Sequence, residues 1–466
     1  MDAAVDDDTT STTSRTSRTA RPCRTDARGL AVGTRSQAAV DHLEAALQAM
    51  LSYFGDPLAA LDAATAEDPG WALPTTLKAG LLLTMGEHGP TLQARQLLRG
   101  GAEAAARGTE RERAHAHAAA AAAAGDWEAA CDAWEAILVR WPLDVAALLF
   151  AHLFDFYRGD ALNLKRRPQR VLPHWADGLP LRGFVLGMLA FGLEESGHHA
   201  QAEDAGRAAL AVNPRDPWAV HAVTHVFEMQ GRHHDGARWL RSRHADWAVD
   251  NGFAFHQWFH AALFQMEALD TEGALATYDA HLAPATDMAL QRVDGTAVLW
   301  RLKLLGVDVA SRFDALRRTW STQAPDAGFY AFNDLHALIA LAGAGDVAAL
   351  QSAGDSLLDA LRSPASGGPT NRRMSAEVGL PLALAFTDHA SGRWSDAARG
   401  LLRCRDRAHG FGGSHAQRDL LTLTLLDAAV RAGDRALARH VLHERFPAKA
   451  GTPLTALWLQ RIGRLA

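Results

Sequence analysis

Only three cysteines occur in 466 residues, Cys23, Cys131 and Cys404, far apart and without a CxxC pair. This excludes a disulfide framework and a thiolate zinc site, and it points to a reducing compartment, the cytoplasm. Tyrosine is nearly as scarce, four against thirteen tryptophans, and β-branched residues are sparse beside alanine, leucine and arginine. Such a composition disfavours sheet and favours helix. No uninterrupted apolar run reaches the ~20 residues of a membrane span; VLGMLAFGL is short and AHAHAAAAAAAG is alanine-rich. A net charge of -6 dispersed over both signs gives no broad basic face, so neither a membrane nor nucleic acid is an expected partner. Residues 1–26, acidic and hydroxyl-rich with no apolar core, do not read as a secretory signal and are expected to be a disordered tail.

What the chain does contain is a repeat. Turn signals follow amphipathic segments at Gly55, Gly86, Gly125, Gly159, Gly197, Gly231, Leu269, Gly306, Gly345, Gly392 and Gly433, at intervals of 31 to 47 residues, mostly 34 to 39. That is the tetratricopeptide-like period. Five residues after most turns stands a small residue (Ala60, Ala130, Ala202, Gly236, Ala274, Ala397, Ala438), where it lets the second helix of a hairpin approach the first. Pro142 and Pro214 stop second helices in GDWEAACDAWEAILVRWPLD and SGHHAQAEDAGRAALAVNPRDP, the clearest copies. The expected fold is all-α: residues 27–466 form a single α-solenoid of about eleven helix pairs, wound as a right-handed superhelix whose first helices line the concave wall. Two irregular stretches, SPASGGPTNRR and KRRPQRVLPHWADGLP, read as exposed loops.

The order and wording of HLFDFYRGD, GMLAFGLEESG, WAVHAVTHVFEMQGR, FHQWFHAALF, LLGVD, YAFNDLHALIAL and GGSHAQRDL resemble the tetratricopeptide repeat protein 38 family. The resemblance spans residues 27 to about 460. It implies the helical-repeat fold and carries no established catalytic mechanism.

Candidate chemistry concentrates between Asp216 and Leu282. His221, His225 and Glu228 are spaced i, i+4, i+7, which places them in one stripe of a helix, and His256, His260 and Glu267 repeat the arrangement on the next first helix. Two HxxxH pairs on adjacent helices bring three or four imidazoles within reach of a divalent metal, with a glutamate as ligand or base. The competing expectation is a set of histidines hydrogen-bonded across helices. Neither pair is HExxH, so the zinc-protease motif is absent. Trp218, Phe255, Trp258 and Phe259 read as packing aromatics.

Two further groups are candidate ligand-binding residues. Asn333, Asp334 and His336 open another first helix, where Asn333 or Asp334 also suits an N-cap. In FGGSHAQRDLL, Ser414 caps a helix whose first turn carries His415 and Arg418, a place that attracts anions; the plainer alternative pairs Arg418 with Asp419 or Asp406. His152 and Asp155 read as a core pair, and His115 and His117 as solvent-exposed. The expected function is a cytoplasmic scaffold that binds a protein partner or small ligand in a concave, histidine-rich groove. The alternative is a metal- or histidine-dependent enzyme with its site in that groove.

Overall fold

The computed structural model describes residues 24–321, 326–345, 347–364 and 367–465. Residues 1–23 of the expected tail lie outside the described residues. Its last three do not behave as tail: Arg24–Thr25 pairs antiparallel with Ala31–Val32, and Asp26 is buried 2.9 Å from Arg28, so the folded chain begins by residue 24.

Helical hairpins make up nearly everything else. Among the described residues, eleven helix pairs run from Gln37–Ser52 with Pro57–Glu67 to His415–Arg431 with Arg435–Lys449, followed by Pro453–Gly463. The repeat turn has a simple local cause. All eleven turn residues have φ between +61° and +93°, the left-handed conformation that closes a helix. In several copies an aspartate follows and caps the next helix: Asp56, Asp126, Asp160, Asp270 and Asp434 each accept from the amide three residues on. Most of the small residues after the turns are buried as expected, Ala130, Ala202, Ala274, Ala397 and Ala438 at 0% exposure, and a Cβ on Gly236 would meet the Phe264 ring; Ala60 is half-buried.

Leu269 departs from the glycine pattern yet holds φ +61°. A side chain in that conformation costs about 1–2 kcal/mol, partly offset by the greater freedom of glycine when unfolded. Leu269→Gly should therefore stabilise the chain by about 0.5–1 kcal/mol, read as a higher urea midpoint with an unchanged m-value.

Each stretch read as an exposed loop is corrected in part, for residues 172–180 are indeed irregular and mostly exposed. Residues 165–171 lie within helix Ala161–Val171, where Arg167 is buried between Asp155 (2.6 Å) and Glu135. SPASGGPTNRR, of which residues 365 and 366 lie outside the described residues, runs into helix Gly368–Met374. There Thr370 accepts from Trp127 N (3.0 Å), and Asn371 accepts from Ala331 N and donates to Gly328 O, both at 2.8 Å. His115 is buried too, 2.8 Å from Asp144, while Asp155 pairs with Arg158 and Arg167 instead of His152.

In an ordinary solenoid each repeat touches only its neighbours. Here distant turns of the coil meet. Tyr330 donates to the carbonyls of Tyr157 and Phe411, Trp300 donates to Thr424, Asn251 reaches Ser52 O, and Glu87 accepts from Ala289 N. The first helices show why: Val145–Tyr157 is buried from Val145 through Asp155, and Pro217–Met229 from Ala219 through Glu228. A helix apolar all round must be covered all round. Second helices such as Arg435–Lys449 bury one face only. The concave wall expected from the repeat is thus largely an interior, and the candidate residues sit inside it.

Candidate metal centre

Asp216 caps helix Pro217–Met229, fixing the register that sets His221 and His225 on one face. The next first helix, Ala254–Glu267, presents His256 and His260 to them. Ring centroids lie 4.3 Å apart for His221 and His225, 4.5 Å for His225 and His260, 4.9 Å for His221 and His256, and 5.0 Å for His256 and His260. One nitrogen from each of the four lies within 4.8 Å of the other three. A tetrahedral ion bound at about 2.0–2.1 Å needs its nitrogens near 3.4 Å apart, so modest side-chain rotation closes the set.

Three of the rings are oriented by acids behind them. His256 Nδ1 is 2.7 Å from Asp294 Oδ2, His260 Nδ1 is 2.9 Å from Glu228 Oε2, and His225 Nδ1 is 3.2 Å from Glu194 Oε2, the last without a well-directed hydrogen bond. A carboxylate on Nδ1 fixes the tautomer that leaves the Nε2 lone pair free. The Nε2 atoms of His225 and His260 have no partner in the protein, and neither nitrogen of His221 has one. Burying that many unsatisfied polar atoms is costly unless something occupies their shared centre.

Electrostatics point the same way. Burial, reinforced by the neighbouring rings, holds His221 and His260 well below the ordinary imidazole pKa, and burial brings His225 to about 4. These three rings are neutral near pH 7, as ligation requires. Burial also pushes Glu194, Glu228 and Asp294 up. A cation among them would return these acids to their charged form.

The centre has an approach. A cavity of about 540 Å³ is walled by His221, His256 and Gln417 together with Met50, Leu81, Leu153 and Phe253, and by other apolar side chains. A more polar recess of about 440 Å³ is bounded by His415, Arg418, Asp419, Arg445 and Lys449.

No family model matches the chain. One chain of the solved structure of Naa15/Naa10 bound to HypK-THB is similar at 15% identity, over 92% of this chain and 71% of that one, with a TM-score of 0.29. The fold therefore rests on the helix pairing itself. Among the described residues no helix is long and apolar enough to cross a membrane.

The structure brings five of the candidate residues together directly: His221, His225, His256, His260 and Glu228. Glu267 is set back, pairing with Arg445 and Lys449 (2.7 and 3.0 Å). His415 and Arg418 reach the centre through Glu195, which accepts from His415 N (3.0 Å) and lies 3.5 Å from Arg418 and 3.9 Å from His225 Nδ1. Ser414 is the cap, as its position suggests, but Arg418 pairs with neither Asp419 nor Asp406. Asn333, Asp334 and His336 are hydrogen-bonded within the fold, to Gly86 O, Gly328 N and Phe332 O, and the N-cap of their helix is Tyr330. Trp218 is more than core, since it lines the cavity. Sequence reasoning missed Asp294, Glu194 and Glu195. For Glu194 and Glu195 the one signal was acids placed on an otherwise apolar first helix, where an unpaired carboxylate is expensive; Asp294 stands on a helix with other polar residues and left no such sign.

Proposed function

We propose that this helical-repeat protein is a metal-dependent enzyme, its ion held by His225, His256 and His260 with His221 completing the set on the cavity side. The observation that carries the reading is the arrangement of four buried imidazoles whose nitrogens converge within 4.8 Å while acids stand behind three of them. Histidines kept only for hydrogen bonding across helices would find partners for their second nitrogens; His225 and His260 do not, and His221 finds none for either nitrogen. His221, with both nitrogens free and its ring in the cavity wall, is suited to be a displaceable fourth ligand or a general base toward a molecule in the cavity. When bound, the ion supplies a Lewis acid or an activated water. Nitrogen-only ligation suits zinc, iron or copper over calcium or magnesium.

The segments behind the family resemblance also support the reading. WAVHAVTHVFEMQGR supplies His221, His225 and Glu228; FHQWFHAALF supplies His256 and His260; GMLAFGLEESG supplies Glu194 and Glu195; and GGSHAQRDL supplies His415, Gln417 and Arg418. Membership of the tetratricopeptide repeat protein 38 family is part of the proposal. The scaffold reading, in which a protein partner occupies the concave groove, requires an open inner face. Burial of the first helices favours a small molecule there instead. Elemental analysis of purified protein tests the assignment: about one transition-metal ion per chain in the wild type and less than a tenth of that in the double variant His225→Ala/His256→Ala. A wild-type protein that takes up no ion after dialysis against zinc, iron and copper would rule it out.

A further inference from the structure

We infer that the cavity beside the centre takes a mostly apolar small molecule ending in a single anionic oxygen head, a carboxylate being the simplest case, with the head directed at the ion between His221 and His256. This rests on the metal reading and extends it to the class of ligand. The volume, about 540 Å³, lies within the ~300–1,000 Å³ of small-molecule sites.

The wall sorts by chemistry. Met50, Leu58, Leu81, Met85, Leu149 and Leu153 contribute aliphatic and thioether surface, which adapts to a flexible chain. Two polar groups among them are already spent: Tyr157 donates to Thr84 O at 2.7 Å, and the Thr84 hydroxyl donates to Leu81 O at 2.7 Å. At the other extreme, His221 keeps two free ring nitrogens and Trp218 a free indole N–H, and their rings are 5.5 Å apart. Tyr53, its ring 6.3 Å from that of Trp218, adds a hydroxyl at the same end, while Asp56 of the wall is an exposed carboxylate that caps a helix; the buried hydrogen-bonding capacity thus lies at the histidine end. Asp294, Glu228 and Glu194 behind the rings offset much of the ion's charge, so the preference for such a head rests on ligation: a carboxylate oxygen takes a coordination position on the ion that an alkyl end cannot fill. The Trp218 N–H is a donor for the same head.

The test is calorimetric titration of zinc-loaded protein with acetate, hexanoate, decanoate and dodecanoate. Affinity should rise about fourfold per added methylene until the cavity is filled, as burial of apolar surface requires. Leu153→Trp and, separately, Met85→Trp reduce the cavity without touching a histidine; each should weaken dodecanoate at least tenfold while zinc content stays at the wild-type level. Equal affinity for acetate and dodecanoate would overturn the apolar-body assignment, with no variant needed. Dodecanoate binding identical in zinc-loaded and zinc-stripped protein would overturn the placement of the head. Failure of the metal reading shows separately, as absence of zinc by elemental analysis before any titration.

Discussion

In a His260→Ala variant, zinc will no longer raise the unfolding temperature, whereas the wild type gains about 4 kcal/mol when free zinc exceeds its Kd a thousandfold. His260 is the residue to choose because its two nitrogens do different work. Nδ1 is fixed on Glu228 at 2.9 Å, while Nε2, buried and unpartnered, is left for the ion. Alanine also removes a buried ring, and that packing loss lowers stability with or without metal. The informative quantity is therefore the zinc-induced increment, compared between variant and wild type by calorimetry. An increment of equal size in both would place bound zinc elsewhere on the chain.

Arg445→Met should cost about 3–5 kcal/mol, because it leaves buried acids without the cation that balances them. The Arg445 guanidinium, 5% exposed, lies 2.7 Å from Glu267 and 2.8 Å from Asp419. It joins the helix that carries His256 and His260 to helix Arg435–Lys449, far along the chain, so the loss measures how firmly the coil closes on itself. The effect has a definite pH signature. Burial raises the Asp419 carboxyl, but Arg445 and Lys449 outweigh burial and hold it far below the ordinary range; Glu267 is lowered for the same reasons, with Lys449 ahead of Arg445. A carboxyl whose folded pKa is depressed stabilises the fold above its unfolded value, near 4, and loses that contribution as pH falls toward the folded value. Urea midpoints of wild type and Arg445→Met should thus differ most above about pH 5 and draw together progressively as pH falls below about 4 toward the depressed folded values. A pH-independent difference would mean that the guanidinium acts by packing alone.

How much of this was legible in the sequence depends on the range of the interaction. Hairpins are local: a residue in the left-handed conformation followed by a capping aspartate leaves a readable sign at each turn, and even Leu269 falls into place by its spacing. The HxxxH pairs are also local, since helical periodicity alone puts His221 with His225 and His256 with His260. The acids behind them are not. Asp294 is 38 residues from His256, and Glu194 and Glu195 lie one repeat before His225; nothing in the local pattern ties them to imidazole. Closure of the coil is less readable still. It depends on Tyr330, Trp300 and Glu87 finding partners 81 to 202 residues away, and the sequence shows only that the first helices are apolar on every side. That sign was present in VAALLFAHLFDFY, and it argued for an interior where a groove was expected.

X-ray absorption at the edge of whichever metal copurifies tests the central claim most directly. Four converging imidazoles require a first shell of three or four nitrogen scatterers at about 2.0–2.1 Å, with the outer-shell pattern of histidine rings and no sulfur. A shell of oxygen alone, or one with sulfur from Cys131 or Cys404, would show that the ion is not held by these histidines.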